Sequence, residues 1–120
     1  MTGEVVHFEV PAKDVDRAQR FYSELFGWEF GPSQMPDMEY RMARVTENSG
    51  AAVFASDDVT GHPNYYHDVP DIDAALVKVR ELGGETEDKM PVPTMGWFAA
   101  CKDSEGNAIH LWQADSEASM

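Results

Sequence analysis

Hydrophobic and polar positions alternate at the start of the chain. Val6, Phe8 and Val10 lie on one side of the pattern and Val5, His7 and Glu9 on the other, which predicts a strand over Glu4–Val10. The spacing then changes. Val15, Ala18, Phe21, Tyr22 and Leu25 recur at helical intervals, and so do Ile72, Ala75, Leu76, Val79 and Leu82 further on. Asp14 and Asp71 precede these runs as N-caps, and Gly27 and Gly83-Gly84 follow as stops. Three more strands are predicted after each helix. They lie at Trp28–Phe30, Met38–Val45 and Ala51–Ala55, and then at Glu85–Asp88, Gly96–Lys102 and Ala108–Gln113. A strand over Asn64–Val69 opens the second set, and residues 56–63 read as the connection between the sets.

The two sets are one pattern used twice. A shift of 57 residues, with no gap, aligns Asp14, Asp16 and Ala18 with Asp71, Asp73 and Ala75. It also aligns Glu24, Leu25 and Gly27 with Glu81, Leu82 and Gly84, and Pro36, Met38, Ala43 and Ala51 with Pro93, Met95, Ala100 and Ala108. The expected fold is α+β: two tandem βαβββ modules, about 4–55 and 64–113, in one domain over 1–120. One helix cannot cover both faces of its sheet. The expected result is a curved mixed sheet with helices outside and a central cavity for a small ligand.

Charge narrows the partners. With 22 acidic and 9 basic residues the net charge is −13, so no nucleic acid and no anionic membrane is expected, whereas a cationic small molecule would be attracted. No apolar run reaches the roughly 18 residues of a membrane span, and the opening MTGEVVHFEV is unlike a secretory leader. The single cysteine, Cys101, precludes an internal disulfide and suits a reducing cytoplasm. Exposed sheet edges and apolar surface predict a homodimer.

The segment HFEVPAKDVDRAQRFYSELFGW (7–28) resembles the opening of vicinal oxygen chelate proteins, and DSEGNAIHLWQ (103–113) resembles their Asp-Pro-Glu-Gly-Asn-x-x-Glu-Leu ending. This superfamily includes glyoxalase I, extradiol dioxygenases and bleomycin-resistance proteins. The resemblance implies a divalent metal in the cavity, with ligands from the first and fourth strand of each module. Carried over, these positions are His7, Val53, Asn64 and His110. Val53 cannot ligate, Asn64 offers a neutral amide, and His110 stands where glutamate is usual. Two good metal ligands remain, His7 and His110.

Three roles stay open at this stage. The chain is a metal-assisted lyase, isomerase or dioxygenase acting on a small oxygenated molecule. Alternatively it binds small molecules without catalysis, or it works by acid–base chemistry through His7, His110 and Glu9. Tyr40, Asn64, Tyr66, Trp97 and Trp112 are the candidate substrate-binding residues, with Met38, Met42 and Met95 near them. His67, aligned with Val10, reads as structural, His62 as an exposed linker residue, and Cys101 as a plain strand residue.

Overall fold

A computed structural model describes residues 3–33, 37–58 and 63–119. His62 and Pro36 lie outside the described residues. The chain divides into two compact units, residues 6–64 and residues 1–5 with 65–120.

In the first unit, β1 (Val5–Ala12) runs into α1 (Val15–Phe26), followed by β2 (Tyr40–Arg44) and β3 (Gly50–Ala55). The Asp14 carboxylate accepts the Arg17 N–H at 3.0 Å and caps α1. Gly27, at φ 77°, ends the helix by donating its N–H to the Ser23 carbonyl. β3 lies between parallel β1 and antiparallel β2. Of the predicted strand Trp28–Phe30, only a single bridge from Phe30 to Ala43 forms. Ala12, Val15 and Val53 are buried together, with Val10, Ala18, Tyr22 and Phe30 against them. Phe21 and Leu25 were expected on the same core-facing stripe, but they are 60% and 58% exposed. The covered stripe is narrower than the apolar stripe of the sequence.

The second unit repeats the plan with β4 (Asn64–Asp68), α2 (Ile72–Glu81), β5 (Glu85–Thr86), β6 (Met90–Val92), β7 (Gly96–Lys102) and β8 (Ala108–Ala114). Asp71 caps α2 through the Ala74 N–H. Parallel β4 and β8, then antiparallel β7, form the sheet, and both β5 and β6 pair with β7. Val69, Ile72, Ala75, Leu76, Ala99, Cys101 and Leu111 form the core under α2. Gly84 is required here, because a Cβ would run into the Lys102 carbonyl and the Val79 side chain. The fold class is thus α+β, with eight strands and two helices among the described residues.

The repeat is not gap-free in three dimensions. Glu9 and Tyr66 are 57 residues apart, but their cross-strand partners Ala52 and His110 are 58 apart. Met42 and Ala100, the next partners across, are also 58 apart. The last two strands of the second module are displaced by one residue. Side chains alternate along a strand, so that displacement exchanges its faces.

Candidate functional site

β1 directs Phe8 and Val10 toward the helix, where Phe8 meets Trp28 edge-on at 5.9 Å and Val10 joins the core. His7 and Glu9 therefore share the opposite face. Tyr40 opens β2 opposite Phe54, on the face away from Val53 and Arg41. Arg41 reaches α1 instead, donating to Asp16 and Gln19 at 2.8 Å each. Ser33 fixes where Tyr40 begins its strand: its hydroxyl accepts the Tyr40 N–H at 3.0 Å and donates to the Met38 carbonyl at 2.9 Å.

These placements produce a hydrogen-bonded chain. The Tyr40 hydroxyl donates to Glu9 Oε2 at 2.6 Å and lies 2.7 Å from His7 Nε2. Asn64 Nδ2 donates to Glu9 Oε1 at 3.2 Å. A carboxylate only accepts and a phenol has one proton, so the Tyr40 proton goes to Glu9 and His7 Nε2–H donates to the phenol oxygen. Burial pushes the His7 pKa below the ordinary 6.5, and the Glu9 charge opposes that shift in part. The imidazole is neutral at neutral pH, with its proton on Nε2. Glu9 is the member of this set that can take up a proton, while Tyr40 and His7, donating in sequence toward it, orient and stabilise its carboxylate.

In the other unit, Tyr66 and His110 are cross-strand partners with ring centroids 4.6 Å apart, and Phe98 meets Tyr66 edge-on at 6.2 Å. Leu111 lies in the core, so alternation puts His110 and Trp112 on the face away from α2. The Trp112 ring lies over Gly96, where an added Cβ would meet it at 2.6 Å. His67 is turned to the helix side, opposite Leu111, with Nδ1 2.8 Å from the Gly3 carbonyl.

Two sequence-based placements need correction. Trp97 packs with Ala99 and Cys101 against the α2 core; its indole N–H donates to Asp115 and Lys89 lies 4.4 Å over its ring. It is not a ligand-facing residue. Phe98, which sequence reasoning missed, is the β7 residue that meets Tyr66, and by the strand register it is the counterpart of Tyr40. Val53 is 1% exposed in the α1 core, so it does not stand on the His7 face at all. The position there is Ala52, beside Glu9. The one-residue displacement accounts for both differences, since it exchanges Trp97 for Phe98 and Val53 for Ala52. The buried small residues of β7 beside Phe98 carried a faint signal of it.

The donor set does not suit the divalent metal that the resemblance implies. His7 Nε2 and both Glu9 oxygens are engaged in hydrogen bonds, and Asn64 presents its NH2 rather than its oxygen to Glu9. Among the described residues no three of His, Cys, Asp and Glu gather closely enough to hold an ion.

Each module thus pairs a parallel first and last strand beneath one helix, and in the first module His7, Glu9 and Tyr40 gather on the face away from that helix. The bleomycin-resistance-protein-like N-terminal family matches residues 4–45, the stretch that carries His7, Glu9 and Tyr40. A "glyoxylase-like domain-containing protein" of Didymella fabae is 29% identical over 88% of this chain and 89% of its own length. The glyoxylase-named protein CFP32 of Mycobacterium tuberculosis is also 29% identical, over 89% of this chain, but the chain spans only 44% of that relative. Two solved structures share the fold: methylmalonyl-CoA epimerase of M. tuberculosis, with TM-score 0.75 at 16% identity over 95% of this chain and 89% of the epimerase, and a glyoxalase/bleomycin resistance protein/dioxygenase superfamily member of Vibrio splendidus, with TM-score 0.70 at 17% identity over 92% and 97%. These likenesses support the vicinal oxygen chelate superfamily, with the family model matching the first third of the chain.

Proposed function

We propose that this chain is a glyoxalase-like domain that acts on a small oxygenated organic molecule by proton transfer, with Glu9 as the base. The observation that carries this reading is the chain from His7 Nε2 through the Tyr40 hydroxyl to Glu9 Oε2, at 2.7 and 2.6 Å. Glu9 accepts a proton from the substrate; its hydrogen bonds from Tyr40 and Asn64 hold the carboxylate in one orientation for that step. Tyr66, His110 and Trp112, on the corresponding face of the second module, are that module's own candidate ligand contacts, with His110 as its acid–base group. His7 and His110 remain the metal-ligand positions that the superfamily suggests, although the donors around His7 favour metal-free chemistry. Structural neighbours described in complex with methylmalonyl-CoA and with a nitronate analogue of propionyl-CoA make acyl thioesters reasonable first probes. The same reading includes a homodimer, supported by the apolar side chains left exposed on α1.

The test is solvent exchange. Methylmalonyl-CoA and simple 2-oxo acids are incubated with the protein in D2O, and loss of the acidic C–H signal is followed by NMR. Exchange that disappears in Glu9→Gln supports the assignment. Absence of exchange with every probe, or exchange unaffected by Glu9→Gln, overturns it.

A second reading is binding without turnover, which the bleomycin-resistance-like match over residues 4–45 favours. The net charge of −13 suits a cationic drug. Under this reading calorimetry detects bleomycin binding that weakens with added salt, while none of the probes exchanges.

A further inference from the structure

α1 leaves an apolar ridge in solvent that the site on β1 and β2 does not use. Phe21, Leu25 and Phe26 are 60%, 58% and 57% exposed. Arg17, Arg20, Phe21, Glu24 and Leu25 line a shallow groove of about 450 Å³ along this helix. Residues at intervals of four and seven lie along one side of a helix, so Arg17, Phe21, Glu24 and Leu25 form a single stripe. Its charge order is cationic toward the N-terminus, apolar in the middle and anionic toward the C-terminus. Arg20 and Glu24 approach at 3.6 Å in the open, whereas among the described residues Arg17 takes part in no ion pair.

Such an order is complementary to itself when reversed. Two antiparallel copies of the stripe bring Arg17 of each against Glu24 of the other, and Phe21 of each against Arg20 of the other. That gives two ion pairs and two cation–aromatic contacts about one two-fold axis. The rest of the chain is strongly acidic, so most other ways of bringing two copies together set like charges against each other. We infer that the exposed face of α1 is the surface on which a second copy of this chain docks, antiparallel and two-fold symmetric. The inference rests on the homodimer part of the reading above and is independent of the acid–base chemistry.

Light scattering across a concentration series tests it, with circular dichroism to confirm folding. The wild-type chain should be dimeric at micromolar concentration. Arg17→Glu, an exposed change that keeps the helix intact, should weaken the dimer at least about tenfold by setting two carboxylates together. Phe21→Ala should do the same by removing the ring that faces Arg20 of the other copy. The double variant Arg17→Glu/Glu24→Arg restores opposite charges across the axis and should recover most of the affinity. A wild-type chain that stays monomeric overturns both the homodimer and this surface. A dimer that ignores Arg17→Glu and Phe21→Ala, or is not rescued by the double variant, overturns the surface alone.

Discussion

Removing one oxygen from Tyr40 probes the hydrogen-bonded chain directly. Tyr40→Phe keeps the ring, and so keeps its tilted contact with Phe54 at 6.4 Å, but takes away the hydroxyl that bridges His7 and Glu9. A hydrogen bond to a charged group contributes roughly 1.5–3 kcal/mol net when well buried. Tyr40, His7 and Glu9 are half-buried, so water compensates part of the loss. The expected cost is about 1–2 kcal/mol, which for a chain of this size lowers Tm by about 4–10 °C. Unfolding in urea, with Tyr40→Phe, Glu9→Gln and the double variant in one series, separates the bond from general damage. If the bond exists, the double variant is less destabilised than the two single changes predict, by about 1 kcal/mol. Nitrogen NMR of the His7 ring adds a second readout. The wild type should carry its proton on Nε2, and Tyr40→Phe should lose that preference. Additive stabilities together with a wild-type proton on Nδ1 would refute the chain as drawn.

His7 also predicts a pH effect. Its folded pKa lies below 6.5, so as pH falls the unfolded chain takes up this proton first. The corresponding stability is present above about pH 6.5, is lost as pH drops from there to the folded pKa, and changes no further below it; His7→Gln should remove this part of the pH dependence in urea titrations between about pH 5 and 7.5. Gly96→Ala would drive a Cβ to 2.6 Å from the Trp112 ring, and thermal unfolding should show a loss of about 1–3 kcal/mol, with Trp112 fluorescence altered. Asp71→Ala removes the acceptor of the Ala74 N–H and should cost about 1 kcal/mol in the same assay, while Asp71→Asn should cost far less.

Local rules were enough for the elements. Asp14 and Asp71 cap where their spacing to the apolar runs said they would, because a cap depends on a few adjacent residues. Alternation in β1 likewise sufficed to separate His7 and Glu9 from Val10, and the opening of the chain carried a resemblance that the family model over residues 4–45 supports. The tertiary structure decided which residues of the later strands share a face. Side chains on a strand repeat every two residues, so one residue of slip between modules, invisible to a helix, moves Trp97 into the core and brings Phe98 to Tyr66. The same slip retires Val53 as a site position and leaves Ala52 next to Glu9. Tertiary packing also decided that α1 would bury Val15 and pack Ala18 and Tyr22 partly against the core but leave Phe21 and Leu25 outside. The helical period places all five on the apolar side of α1, but only the width of the sheet beneath determines how much of that side is covered.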